Sequence, residues 1–209
     1  MTQKINLDDQ FKKALDSFET SNKHIFLTGN AGTGKSTLLE YWRDKTKKNI
    51  AVLAPTGVAA LNIKGQTIHS FFGFRPDITV QKIQRFYRNK GKKGLFKKLD
   101  AIIIDEISMV RADLLDCIDA FLKMHGKNHN LSFGGIKMIF IGDLHQLPPV
   151  VRGYGSVNFA FESDSWKRSE FESITLKIVY RTSDDDFIAL LDAVRFAQIQ
   201  EHDEQFLNS

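Results

Sequence analysis

The chain has 209 residues, 42% of them apolar and 26% charged, with 29 Lys and Arg against 25 Asp and Glu. That composition excludes collagen-like, low-complexity and wholly disordered classes, and the length suits one domain with a single large core. Its apolar runs fall short of the roughly 20 residues a membrane-spanning helix needs, the acidic first ten residues do not read as a leader, and Cys117 is the sole cysteine, so a reducing, cytoplasmic setting without a membrane partner or disulfide is expected.

In chain order, Phe11, Leu15 and Phe18 recur at helical spacing and predict an opening amphipathic helix. Residues 24–28 read as a strand, 35–46 as a helix and 50–54 as the next strand, which together make a βαβ unit. Between the first strand and its helix stands Gly29-Asn30-Ala31-Gly32-Thr33-Gly34-Lys35-Ser36, a complete G-x-x-x-x-G-K-S sequence in its proper context. In such a loop the glycines let the backbone close around an anion and the N–H groups converge on phosphate oxygens. Lys35 then neutralises the β and γ phosphates, and Ser36 is placed to hold Mg²⁺. ATP with Mg²⁺ is therefore the expected ligand.

Residues 82–98 carry Lys82, Arg85, Arg88, Lys90, Lys92, Lys93, Lys97 and Lys98 and no acid, whereas residues 182–209 are strongly acidic with Arg195 as their one Lys or Arg. A polyanion would meet the first stretch and avoid the second. Lys92 and Lys93 are candidates for phosphate contact, and a solvated charged surface is the alternative. Residues 101–104 form a continuous apolar run and 136–141 one interrupted only by Lys137, typical of central strands covered on both faces. The first ends at Asp105 and Glu106. An Asp there can hold Mg²⁺ through water and a Glu can orient and deprotonate an attacking water, the alternative being a pair of solvated acids. The second leads through Gly142 and Asp143 to Gln146 and a Pro-stiffened turn, where an uncharged amide is placed to sense the γ phosphate. Residues 176–180 predict a fifth strand, followed by Arg181, which either reaches transferred phosphate or pairs with the acids beyond it. Phe187, Leu190, Leu191 and Val194 mark a C-terminal helix. The whole reads as an α/β fold with a mostly parallel sheet and helices on both faces, without an internal domain boundary.

These segments together resemble the first RecA-like motor domain of superfamily 1 DNA helicases of the 5′-to-3′ branch, in the petite-integration-frequency (PIF-type) family. The resemblance rests on residues 29–37, 54–71 (APTGVAALNIKGQTIHSF), 103–109 (IIDEISM) and 142–150. Weaker echoes lie at 7–10, at 161–163 near Trp166, at Tyr180 and Arg181, and at 187–191 leading to Arg195. It implies a RecA-like P-loop NTPase that hydrolyses ATP and acts on single-stranded DNA. Gln10 would read the adenine edge, and the loop through Thr37 would hold the nucleotide. Lys35, Ser36, Asp105 and Glu106 would handle Mg·ATP, and Gln146 and Arg181 would contact the γ phosphate. Thr56, Gly57, Thr67, His69 and Ser70 would line the DNA path. An amide suits adenine because it pairs with N6 and N7 together. For Gln10 a solvated helix position is the alternative; for His69 and Phe71 it is core packing, since Phe72 and Phe74 follow closely.

Thr182 stands where the family commonly has Gln, and His145 where an aromatic is usual, which bears on the tuning of hydrolysis. The resemblance stops near Leu207, where the family continues into a second RecA-like domain. Residues 1–209 are thus expected to be one motor domain, partnered by a second in the same longer chain, monomeric, and nucleoid-associated if bacterial. Stepping along DNA requires both domains. A nucleotide-gated DNA-binding module without turnover and a P-loop kinase or small NTPase are the competing readings; the latter offers no reason for residues 56–71.

Overall fold

Strands buried on both faces need a sheet with helices on either side, and the chain builds one. The computed structural model describes residues 7–87, 94–150, 158–180, 190, 193–195 and 198–199. Among them β1 (His24–Gly29), β2 (Ile50–Ala54), β3 (Gln66–Thr67), β4 (Ala101–Ile104), β5 (Lys137–Ile141) and β6 (Phe171–Leu176) form one sheet in the order β3-β2-β4-β5-β1-β6. Every pairing is parallel. All four residues of β4 are buried, as a parallel strand covered on both sides requires.

The two-residue period of the strands sends alternate side chains to opposite faces. Ile102, Ile104, Met138 and Phe140 pack with Phe121 and Leu122 of α7 (Ala112–His125) and Ile83 of α5 (Val80–Phe86). Ile25, Leu27, Ile103, Ile139 and Ile141 pack instead with Leu38, Leu39 and Trp42 of α2 (Lys35–Lys45) and with Phe11 and Phe18 of α1 (Asp9–Thr20). Asp8 caps α1 by accepting the Phe11 N–H at 2.7 Å. Its last turn contains no basic residue, and the Lys137 ammonium fills that role from β5, donating to the carbonyls of Ser17 and Phe18 at 2.7 and 2.9 Å.

The sheet corrects one expectation and adds a strand. The fifth predicted strand, 176–180, is displaced to β6, which pairs with β1 from His24↔Phe171 to Gly29↔Leu176. An edge strand needs only one apolar side, and of Phe-Glu-Ser-Ile-Thr-Leu only Ile174 and Leu176 are buried, so the run lacks the continuous apolar signal. The more apolar Ile178 and Tyr180 remain 43% and 50% exposed. β3 went unpredicted because its two residues pair with Leu53 and Ala54 through backbone alone. Of the expected C-terminal helix, Leu190 is buried and 193–195 are helical, while Phe187 and Leu191 lie outside the described residues. Residues 88–93 and 152–157 lie outside the described residues as well. No helix among the described residues is long and apolar enough to cross a membrane.

Candidate nucleotide site and nucleic-acid edge

In a parallel sheet every strand delivers its C-terminal end to the same edge, where ligands of open α/β folds bind. The order here sets the ends of β1, β5 and β4 side by side, with those of β2 and β3 next in line. The Gly29–Ser36 loop, Asp143 and Asp105 are thereby neighbours.

Close packing fixes the loop. A Cβ on Gly29 would stand 2.5 Å from the Leu176 carbonyl oxygen, so only glycine lets β1 leave the sheet there. Gly34 starts α2 in the left-handed region (φ 83°), and a Cβ on it would meet the Phe11 ring at 2.7 Å. Thr33 is fully buried, with its hydroxyl donating to the Asn30 carbonyl at 2.8 Å. The Lys35 ammonium donates to the carbonyls of Gly29 and Asn30 at 2.8 and 3.0 Å. Burial pulls its pKa down, while the carboxylates of Asp143, Glu106 and Asp105 oppose that shift, which places all three acids within its field. Ala31, Ser36 and Thr37 are exposed around the loop and the first turn of α2.

Asp105 follows β4 and is buried; desolvation, reinforced by the charge of Glu106, raises its pKa to about 6. Its Oδ1 accepts the Glu106 N–H at 3.0 Å. Glu106 itself adopts left-handed backbone (φ 54°, ψ 45°), uncommon without glycine, and so leaves the line of the strand at the 3₁₀ turn Ile107–Met109. Nothing in residues 103–109 signals that turn locally.

Asp143, buried after β5, organises a second set. Gln146 is exposed, and its Nε2 donates to Asp143 Oδ2 at 3.1 Å. Arg195 Nη2 donates to Asp143 Oδ1 at 2.8 Å, and its Nη1 donates to the Asn30 side-chain carbonyl. The sequence assigns no role to Asn30, Asp143 or Arg195; its hints were Asp143 at the end of an apolar run, and Arg195 as the one Lys or Arg of an acidic tail, following the family echo at 187–191. Gln10 is half-buried on α1, with its Oε1 accepting the Lys177 N–H at 2.8 Å, so it is tied to the chain beyond β6 rather than freely solvated. Arg181 lies outside the described residues; Tyr180 before it donates its N–H to the Gly32 carbonyl at 2.9 Å.

At the neighbouring edge Thr56 caps α3 (Gly57–Asn62), accepting the Ala59 N–H, and Thr67 caps α4 (Ile68–Phe72), accepting the Ser70 N–H, both at 3.2 Å. Gly57 and Ser70 are exposed. His69 is half-buried beside a cavity of about 370 Å³ shared with Pro55, Thr56, Met109 and Arg111. Burial, and then the Arg111 charge, lower its pKa and favour the neutral ring. Phe72 and Phe74 are core, and Phe71 packs edge-on against Phe72 and Phe96. Lys92 and Lys93 lie outside the described residues; Lys97 and Lys98 are exposed on α6 (Leu95–Lys98), and Lys82 pairs with Asp77.

A wholly parallel sheet whose first strand feeds a Lys-bearing phosphate loop, with the next two strands to one side of it leading to acids, defines a P-loop NTPase domain of RecA-like architecture. A family model described as PIF1-like helicase matches residues 5–205, and the chain belongs to that family. It is 41% identical over 191 residues to the ATP-dependent DNA helicase PIF1 of Candida albicans, covering 84% of this chain and 21% of that protein. The crystal structure of Pif1 helicase from Candida albicans superposes with a TM-score of 0.85 at 40% identity, over 96% of this chain and 47% of that one. The Pif1 helicase from Bacteroides, solved in complex with ADP-AlF3 and single-stranded DNA, gives 0.78 at 33% identity, over 94% and 48%. The chain therefore spans about a fifth of that curated relative and about half of the solved structures.

Proposed function

We propose that this chain is the first motor domain of a 5′-to-3′ DNA helicase, binding and hydrolysing ATP and acting on single-stranded DNA. The observation that carries this is the placement of Lys35, Asp105, Glu106 and Asp143 together at the edge where Thr56, Thr67 and His69 also emerge. The solved complex of the Bacteroides relative with ADP-AlF3 and single-stranded DNA supports both halves of the reading.

The residues fit a magnesium nucleotide. Asp105 is a buried carboxylate that gains from a cation, Ser36 offers an exposed hydroxyl, and no group of three or more His, Cys, Asp or Glu among the described residues could cage a metal unaided. Mg²⁺ takes one or two protein oxygens and fills its shell with phosphate and water. When bound, it neutralises charge on the β and γ oxygens. Lys35 offsets phosphate charge, Glu106 orients and deprotonates the attacking water, Gln146 and Arg181 contact the γ phosphate, and Gln10 reads adenine. The partner is a second RecA-like domain of a longer chain, a reading supported by the half-length coverage of the solved relatives. Phosphate release by the purified chain is expected to be slow and accelerated by oligothymidine, with no strand separation, since stepping needs two domains. A rate indifferent to DNA would favour a kinase or small NTPase, and DNA binding with zero turnover a regulatory module.

DNA contact has its own test. Replacing Lys92, Lys93, Lys97 and Lys98 by Gln is expected to lower the salt slope of oligothymidine binding by about 3, at roughly 0.7 per lost phosphate contact. His69→Ala is expected to weaken binding with the slope unchanged, because a neutral ring acts by stacking or hydrogen bonding. Fluorescence anisotropy across a salt series reads both; an unaltered slope in the fourfold variant would assign the basic stretch to solvation.

A further inference from the structure

We propose that Arg195 is a positioning residue that ties the phosphate loop to the loop bearing Gln146, and so sets how strongly the site distinguishes a nucleotide with a γ phosphate from one without. This rests on the Mg·ATP reading above and assigns a role to a residue fourteen positions beyond Arg181.

The geometry is a bridge with one guanidinium at its centre. Nη2 meets Asp143 Oδ1 at 2.8 Å and Nη1 meets the side-chain carbonyl of Asn30, with the Arg195 and Asp143 side chains only 16% and 3% exposed. On one side, the backbone carbonyl of the same Asn30 accepts from Lys35 Nζ at 3.0 Å and from the Thr33 hydroxyl at 2.8 Å, so Arg195 grips the residue that seats the phosphate-binding ammonium. On the other, Asp143 Oδ1 also accepts the His145 N–H and Oδ2 accepts Gln146 Nε2, each at 3.1 Å. The planar fork of arginine fixes direction as well as distance, which a lysine cannot reproduce. A carboxylate as buried as Asp143 is costly without a charged partner, so the bridge is held firmly. Arg195 comes from the acidic tail, yet it is committed to an acid inside the site.

Releasing the bridge frees the Gln146 loop relative to Lys35. Contacts to the β phosphate, made by the loop backbone and Lys35, should survive, because the Thr33 hydroxyl and the close packing at Gly29 and Gly34 still hold the loop and the Asn30 carbonyl; a γ contact that depends on where Gln146 stands should not. Arg195→Ala is therefore expected to weaken Mg·ATPγS binding about tenfold, the value of one hydrogen bond to a charged group, with Mg·ADP affinity unchanged. Arg195→Lys should recover part of the loss.

The decisive comparison is calorimetric titration of Mg·ATPγS and Mg·ADP into the parent, Arg195→Ala, Arg195→Lys, Gln146→Ala and the Arg195→Ala/Gln146→Ala pair. If Arg195 acts through Gln146, the pair loses no more than Gln146→Ala alone. Multiplying losses would mean that Arg195 touches phosphate itself, and equal loss of both nucleotides would mean that it only supports the loop; either result overturns the proposal. Should Arg195→Ala fail to fold by thermal melting, Arg195→Lys must show the same selective loss in smaller measure, alone and with Gln146→Ala. A parent that binds neither nucleotide would defeat the Mg·ATP reading and this proposal with it. A parent that binds both while the variants discriminate as it does would defeat this proposal alone.

Discussion

Lys35→Ala is expected to lower the affinity for Mg·ATP and Mg·ADP about 100-fold, close to 3 kcal/mol. The ammonium donates to the carbonyls of Gly29 and Asn30 and lies within the field of three acids, Asp143, Glu106 and Asp105, of which Asp143 is also paired with Arg195. Truncation removes a charge-assisted contact to phosphate and leaves those carboxylates to repel the incoming polyanion, so two effects act in the same direction. The Gly29 and Gly34 geometry does not depend on the side chain, so the loop should persist and thermal stability should change little beside the binding loss. Calorimetry measures it, and unchanged affinity would show that nucleotide binds elsewhere.

Asp105→Asn is expected to do two opposite things, stabilising the nucleotide-free fold while abolishing its stabilisation by magnesium nucleotide. Burial, with Glu106 beside it, raises the Asp105 pKa from 3.8 to about 6. A carboxyl whose folded pKa exceeds its unfolded value favours the fold most when protonated. Its contribution is fully present below about pH 4, fades as pH rises through about 6, and above that the charged form costs up to about 3 kcal/mol. Asn keeps the Oδ1 acceptor for the Glu106 N–H and carries no charge. The variant should therefore melt roughly 6–10 °C higher than the parent at pH 8 and nearly level with it at pH 4. Added Mg·ATP should raise the melting temperature of the parent but not of the variant, because a ligand stabilises only the state it binds. Differential scanning fluorimetry across pH, with and without nucleotide, checks both arms; an equal melting temperature at pH 8 would mean that Asp105 is not held as a costly buried charge.

Whatever depends on a contiguous run was legible in the chain itself. The phosphate loop is eight consecutive residues whose glycines answer local demands at Gly29 and Gly34, and β4 and β5 are runs long enough and apolar enough to declare central strands. That β4 leads to Asp105 and β1 to the loop follows from the order of letters, and with it the expectation of a phosphate site. The tertiary structure alone decided what joins distant segments. β6 pairs with β1 through backbone, and an edge strand with one apolar side leaves little pattern. Gln10 meets Lys177 across 167 positions, and Arg195 meets Asn30 and Asp143 across 165 and 52. The left-handed turn at Glu106 falls at the end of β4 on a residue that is not glycine, so no letter announces it. Hydrogen-bonded side chains leave no periodicity in a sequence, because their partners are chosen by the sheet order β3-β2-β4-β5-β1-β6, which brings the strand ends together only once the chain has folded.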